Sequence, residues 1–503
     1  MFYFVRRKSY FGRKRNMQNT LQKANEYVQM HRVKADELPA FHVAPVCGWM
    51  NDPNGFSMYQ GKVHLFYQHH PYSTEWGPMH WGHCVSDDFI KWDCLPDALA
   101  PEDVFDHAGC FSGTGMESDA GHVLYYTGVT EKEIDGKKLS YQDQCIAIGD
   151  GKTYTKLRSN PVVTGAMLPE GFSKADFRDP KVWKEGDIYY MIAGNRTEQN
   201  VPQIVLFSSE NGLDWKYESV FASNADAQLG IMWECPDFFH MDGQDVLVFS
   251  PTDMCASGEF HNGHNTVYVL GKFDKENGCF CFDGASAHTL DDGLDYYAAQ
   301  TMEAPDGRRI LIGWMQSWHS NIRPDAMGWA GMMTIPRELE IIDGRLVQRP
   351  VREIEKYRQM PVCYENKEVN GSCELPGVSG RVLDMMVEIT GGDYRTFTIA
   401  FAKNEEHYTS LEYRRDKQTL EIDRTYSGMT RDTIASRKIK LKLPKKHLKL
   451  RFILDKYSAE IFVNDGEQVI STTFYTPLAA DEIRFESDGT VIINVQKYDV
   501  VVK

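Results

Sequence analysis

Polar and apolar side chains alternate after a glycine at five places in the chain: 61–68 (GKVHLFYQ), 121–128 (GHVLYYTG), 186–194 (GDIYYMIAG), 243–251 (GQDVLVFSP) and 307–315 (GRRILIGWM). A period of two behind a turn residue is the pattern of a strand with one buried face. The five runs recur at intervals of roughly sixty residues, a period that points to a repeat architecture. Shorter alternating runs follow four of them, at 79–86, 144–149, 203–209 and 266–273, and Trp92 and Trp215 open further pieces. Four short strands per unit and five units in phase predict an all-β fold whose first part is a five-bladed β-propeller over residues 40–350. A twisted sandwich with as many strands would not keep this phase.

Beyond 345 the period stops. Alternating runs at 398–402, 448–455 and 459–463, with Asn464-Asp465-Gly466 as a hairpin turn, predict a C-terminal β-sandwich of two antiparallel sheets over 365–503. Its carboxylates, Glu460 among them, are expected on solvated faces. At the other end, Leu21, Ala24 and Val28 have helical spacing and predict a helix from Met17 to about Ala35 within an N-terminal extension, 1–39. Residues 1–16 carry six basic side chains without the apolar core of a signal peptide, and read as a tail outside the fold or an upstream start.

The 503 residues suffice for one large and one smaller domain, each with its own core. A net charge of -16 argues against nucleic acid or an anionic membrane as partner. No apolar run approaches the roughly 20 residues of a membrane span. Eleven cysteines without a Cys-x-x-Cys pair argue against a disulfide framework or a thiolate zinc site. They read as reduced and mostly buried, which favours the cytoplasm.

The chemistry sits just ahead of the marker strands. In 49–55 (WMNDPNG), Pro53 biases Asp52 away from helical angles and Asn54-Gly55 accepts positive φ, so Asp52 is expected on a fixed turn. Asp179 repeats the Asp-Pro device behind Arg178, and Glu234 lies between Trp233 and Cys235-Pro236. Singly these are a loop, an ion pair and a surface acid. In phase they differ: Asp52, Ser112 and Glu234 each stand nine residues before a marker glycine and Asp179 seven, so the propeller would bring three carboxylates to one axial funnel. A carboxylate that attacks and a carboxyl that protonates are the parts needed to hydrolyse a glycosidic bond.

The set 49–55 (WMNDPNG), 111–113 (FSG), 177–180 (FRDP), 233–239 (WECPDFF), 296–301 (YYAAQT) and 328–339 (GWAGMMTIPREL) resembles glycoside hydrolase family 32, the β-fructofuranosidases. The likeness runs from Phe41 to the C-terminus. It implies retaining hydrolysis of terminal β-fructofuranosyl bonds, with Asp52 as nucleophile, Glu234 as acid/base and Asp179 as transition-state stabiliser. Asn51, Gln68, Trp76, Phe111, Ser112, Arg178, Tyr297 and Trp314 would bind the sugar. No metal or organic cofactor is implied, and the histidines at 69, 70, 80 and 83 read as packing or sugar contacts. Desolvation beside Trp233 is expected to raise the pKa of Glu234, while turn amides keep Asp52 ionised and Arg178 keeps Asp179 charged.

The implied partner is a small sugar: sucrose, sucrose 6-phosphate or a short fructooligosaccharide. His319, Arg323 and Arg196 are candidates for holding a 6-phosphate at the rim. A fructan exo-hydrolase, a fructosyltransferase, an inverting arabinan-type hydrolase and a non-catalytic sugar-binding propeller are the competing readings.

Overall fold

Each of the five marker runs forms the second strand of a blade in the computed structural model, which describes residues 20–134, 136–224, 229–282, 286–319, 322–324, 326–428, 433–442 and 447–502. The expected tail at 1–16 and the start of the helix at Met17 lie outside the described residues. Blade 1 comprises Gly48–Tyr59, Lys62–His70, His80–Ser86 and Trp92–Leu99. Blade 2 comprises Gly109–Ser118, Gly121–Ile134, Lys137–Gly149 and Tyr154–Lys156, and blade 3 Phe172–Glu185, Ile188–Thr197, Pro202–Ser209 and Lys216–Ser223. Blade 4 is Met232–Met241, Gln244–Thr252, Val267–Asp274 and Cys279–Cys281; blade 5 is Tyr297–Glu303, Arg309–Trp314, Arg337–Ile342 and Arg345–Pro350. The marker glycines end the tight turns between first and second strands, all at positive φ. Trp329–Ala330, from the last blade's connection, lies parallel on Gly48–Trp49 and closes the ring.

Every inner strand slips its register against the second strand at the same height: between Met50 and Pro53, Phe111 and Gly113, Arg178 and Lys181, Glu234 and Asp237, and Tyr297 and Gln300; those of blades 1 and 3 slip a second time, between Asn54 and Ser57 and between Phe172 and Phe177. A bulge turns a side chain out of the pleat and interrupts the ladder. Asp52 therefore lies inside the strand Gly48–Tyr59 and not on the expected turn. Pro53 stands at the edge of the bulge, a position where a strand tolerates proline.

The helix is shorter than its pattern. It runs Leu21–His31, capped by the Thr20 side chain on Lys23 N, and buries Ala24 and Val28. Asn25 fixes it to the outer strand of blade 1 by exchanging hydrogen bonds with the Asp97 backbone. Arg32 is already extended, and a 3-10 turn, Ala35–Glu37, follows. Among the described residues no helix is long and apolar enough to cross a membrane.

The C-terminal strands form one continuous ladder folded into two layers. The strand Glu482–Val500 belongs to both, pairing with Thr396–Lys403 near its start and with Leu383–Asp393 further on. Phe397, Ile399, Leu411 and Ile422 from one layer and Met385, Leu450, Phe452 and Ile461 from the other share a single core. Of the cysteines, all free, five are buried, whereas Cys255, Cys281 and Cys363 are exposed. The expectation of mostly buried thiols fails: the buried ones, Cys47, Cys84, Cys110, Cys145 and Cys235, belong to blades 1, 2 and 4 or the approach to blade 1.

The domain interface is where the sequence reading of Glu460 fails. Glu460 is fully buried, not solvated: it accepts from Arg337 Nε at 2.9 Å and Nη2 at 2.5 Å, from Ile335 N and from His42 Nε2. An alternating strand has two faces, and the face that looked polar is covered by the propeller. Arg337 also reaches Asp291, Gln348 and Ser471. His42 bonds Asp455 at 2.8 Å, and the two carboxylates, opposing burial, hold its imidazolium up to about 9.

A folded-state pKa raised above the unfolded 6.5 gives stability that is complete below pH 6.5 and lost as the pH rises through about 9. His42→Gln is thus expected to destabilise most at or below pH 6.5, by about 3 kcal/mol, and progressively less towards pH 9. Urea melts of both proteins at pH 6, 7.5 and 9 measure this; a difference that grows with pH would refute the charged state assigned to His42.

Candidate active site

The five bulges face one another around the top of the axis. Asp52, Asp179 and Glu234, from blades 1, 3 and 4, line one cleft with Asn51, Gln68, Trp76, Phe111, Ser112, Arg178 and Trp318. Ser112 Oγ donates to Asp52 Oδ2 at 3.0 Å, and Asn51 accepts from Trp49 Nε1 at 2.8 Å. Among the described residues the buried Asp52 Oδ1 has no hydrogen-bond partner. Gln68 Nε2 donates to the Cys110 carbonyl at 3.1 Å, and Gln300 closes the axis below, donating to Gly113 O and accepting from Phe56 N.

Asp179, Cys235 and Ala298 hold φ of 65°, 48° and 54° at equivalent bulge positions of blades 3, 4 and 5. Left-handed angles at non-glycine residues cost about 1 kcal/mol or more each, and persist only where the surroundings over-determine them. Here they are fixed from both sides: Asp179 N donates to Thr127 Oγ1 at 2.9 Å, and Cys235 N donates to Asp179 Oδ2 at 2.9 Å. The flipped peptide of blade 4 thereby holds the carboxylate of blade 3.

Two expected sugar contacts do not line the cleft. Tyr297 is buried beneath it and donates to Glu234 Oε2 at 2.5 Å, so it touches the acid and not the opening. Trp314 ends the second strand of blade 5 and packs behind Trp49 and Trp318, at 5.9 Å and 5.2 Å between ring centres. The aromatic that blade 5 sends to the cleft, beside Trp76 and Phe111, is Trp318, four residues on, in the connection that follows. Its signal was available: like Trp76, it is a tryptophan among polar residues just beyond a marker strand. Cys235 was also missed as a site residue; its Sγ lies 3.6 Å from both Asp52 Oδ2 and Asp179 Oδ2.

The electrostatics reverse the expected order. Burial pushes Asp52 up to about 6, against hydrogen bonds from Asn51 and Ser112. Burial lifts Asp179 to about 7, against the charge of Arg178. Burial acts upward on Glu234 too, but Arg178 and the Tyr297 hydroxyl outweigh it and hold its carboxyl below the ordinary range. The reason is spatial. Arg178 crosses to the next blade and sets Nε and Nη2 on Glu234 Oε1 at 3.0 and 2.8 Å, while Trp233 turns away to donate to Leu229 O. One cation against three carboxylates makes a set that titrates together.

The connections between second and third strands overhang the mouth. Blade 1 contributes Trp76, half exposed and edge-on to Phe111. Arg196, on the rim of blade 3, is committed to Asp176 at 2.7 Å and Asn200 at 2.6 Å. Arg323, from blade 5, donates Nε to Thr74 O at 2.9 Å and so tethers the loop that carries Trp76. Of the three candidates for a phosphate contact, His319 is the exposed one, packed on His264. The other histidines bond to protein groups: His69 to Asp97, His80 to Pro78 O, His64 to His83. Among the described residues no group of three His, Cys, Asp or Glu is placed to hold a metal ion.

Residues 42–350 match the family model described as the Glycosyl hydrolases family 32 N-terminal domain, and residues 353–501 that of the family's C terminal. A sucrose-6-phosphate hydrolase of Zymomonas mobilis subsp. mobilis is 38% identical over 448 residues, covering 85% of this chain and 84% of its own length. One of Escherichia coli is 36% identical over 477 residues, covering 93% and 96%. The solved Bombyx mori GH32 beta-fructofuranosidase BmSUC1 superposes with a TM-score of 0.82 at 30% identity, over 95% of this chain and 98% of that one.

Proposed function

The chain belongs to glycosyl hydrolases family 32, and from that premise we propose that its cleft releases the terminal β-D-fructofuranosyl unit of sucrose or sucrose 6-phosphate by double displacement. The arrangement that supports this reading is the meeting of Asp52 and Glu234 from two blades in one cleft, with Ser112 on the first and Arg178 and Tyr297 on the second. Asp52, whose Oδ1 is unengaged, attacks the anomeric carbon. Glu234 protonates the departing oxygen and then activates water, the two steps of a retaining hydrolysis. Asp179, held by the Cys235 amide, binds fructosyl hydroxyls.

The proton that Glu234 needs belongs to the coupled carboxylates. Fructosyl hydroxyls that engage Arg178 weaken its hold on Glu234 and let the proton settle there. Activity then requires Asp52 ionised and one proton retained in the set. With values of about 6 and about 7 at Asp52 and Asp179, kcat/KM is expected to follow a bell with its maximum between them. Fructose release from sucrose, sucrose 6-phosphate and a short inulin, measured side by side from pH 4.5 to 9, tests both parts. No release from either sucrose would end the functional reading; a plateau extending to pH 9 would remove the shared proton.

A further inference from the structure

We propose that His264 and His319 receive an anionic group on the leaving sugar, the 6-phosphate of sucrose 6-phosphate; this deepens the reading above and rests on it. His264 ends a small two-stranded arm of blade 4, fixed by the paired backbones of Met254 and Gly263 and by Asn265 on His261. The arm stands beside the proposed acid: the His264 ring lies 5.3 Å from that of Tyr297, the residue that donates to Glu234. A leaving group protonated by Glu234 departs past this arm. His319 comes from the connection of blade 5 just after Trp318, which lines the cleft, and its ring lies 4.6 Å from that of His264. Gly263 permits that approach, since a Cβ there would stand 2.5 Å from His319 Cδ2.

The donors at this position are uncommitted where the alternatives are not. Neither His264 nor His319 spends its side chain on a hydrogen bond to a described residue; Nδ1 of His264 is buried, so its ring edge beyond that atom and the exposed His319 are what meet a ligand. Arg196 is taken up by Asp176, and Arg323 by the Trp76 loop. The groups facing His264 are Glu234 and Tyr297 on the inner strands, Asp253 on its own arm, His319 opposite, and His261, which in turn feels Arg437 of the C-terminal domain. Burial, the largest influence, holds His264 below its usual range. A neutral imidazole suits an uncharged leaving glucose; a phosphate dianion draws a proton to it and converts the contact into a charge-assisted one.

The test compares kcat/KM on sucrose and on sucrose 6-phosphate for the wild type, His264→Gln and His319→Gln, with glucose and glucose 6-phosphate as product inhibitors. The wild type is expected to be inhibited at least tenfold more tightly by glucose 6-phosphate than by glucose, and in each variant both this margin and the preference for the phosphorylated substrate fall about tenfold, through KM. The wild-type preference should also shrink from pH 6 to pH 8. Margins within twofold of wild type in both variants, or a wild type that hydrolyses sucrose but is inhibited equally by the two glucoses, overturn the proposal and leave the functional reading standing. The wild-type inhibition measurement needs no substituted protein, so a variant that fails to fold does not protect it. A wild type inert to both substrates would instead remove the functional reading.

Discussion

Asp52→Ala is expected to abolish turnover whatever the leaving group, by ~10⁴-fold or more on sucrose, sucrose 6-phosphate and fructosyl fluoride alike, since no covalent fructosyl-enzyme can form without it. Glu234→Ala separates the substrates. Sucrose, whose leaving oxygen needs a proton, should slow by roughly a hundred- to ten-thousandfold, whereas fructosyl fluoride still loads Asp52 and stalls for want of a base. Azide, which needs no deprotonation, should then accelerate the second step and give β-fructosyl azide with retained configuration. Loss of Glu234 also removes the partner of Arg178 on the next blade and leaves the cation to Asp176 and Asp179. Azide rescue of Asp52→Ala and not of Glu234→Ala would reverse the roles. An inverted product from the wild type would remove double displacement.

Arg337→Met is expected to lower stability by about 3–5 kcal/mol, the usual result of breaking a buried ion pair from one side. The guanidinium joins Glu460 of the C-terminal domain to Asp291 and Gln348 of the propeller, and all of these side chains are buried. Its removal leaves two carboxylates in the interface, with His42 and the Ile335 amide still on Glu460. The expected signature is a thermal midpoint lower by about 3–5 °C, partly restored when Glu460→Gln is added, because the second change removes the stranded charge. A shift of less than one degree would show that the interface is held by packing alone.

Glycine spacing and alternation were enough to locate all five blades, because a turn and a half-buried strand write their period directly into the residues. The convergence of Asp52, Ser112, Asp179 and Glu234 was legible for the same reason. Three things were not. The bulges leave no mark of their own, so Asp52 read as a turn residue. Arg178 pairs with Glu234 on the next blade and with Asp176, whereas sequence adjacency pointed to Asp179; the expected order of acidities was wrong in consequence. Glu460 sits in a strand whose alternation shows two faces but not that a second domain covers the polar one.

The parallel pairing of Trp329–Ala330 with Gly48–Trp49 has a consequence for biosynthesis. An open array of repeats gains structure unit by unit as it leaves the ribosome. Here a nascent chain that ends within blade 4 still lacks Tyr297 and Gln300, and the inner edge of its first blade is unpaired, an exposed template for the wrong neighbour. Trp329 also donates to Glu37 O, so the segment ahead of the first blade is secured by the same late event. The first residues of the domain wait for nearly the last, and the catalytic cleft has no half-built form.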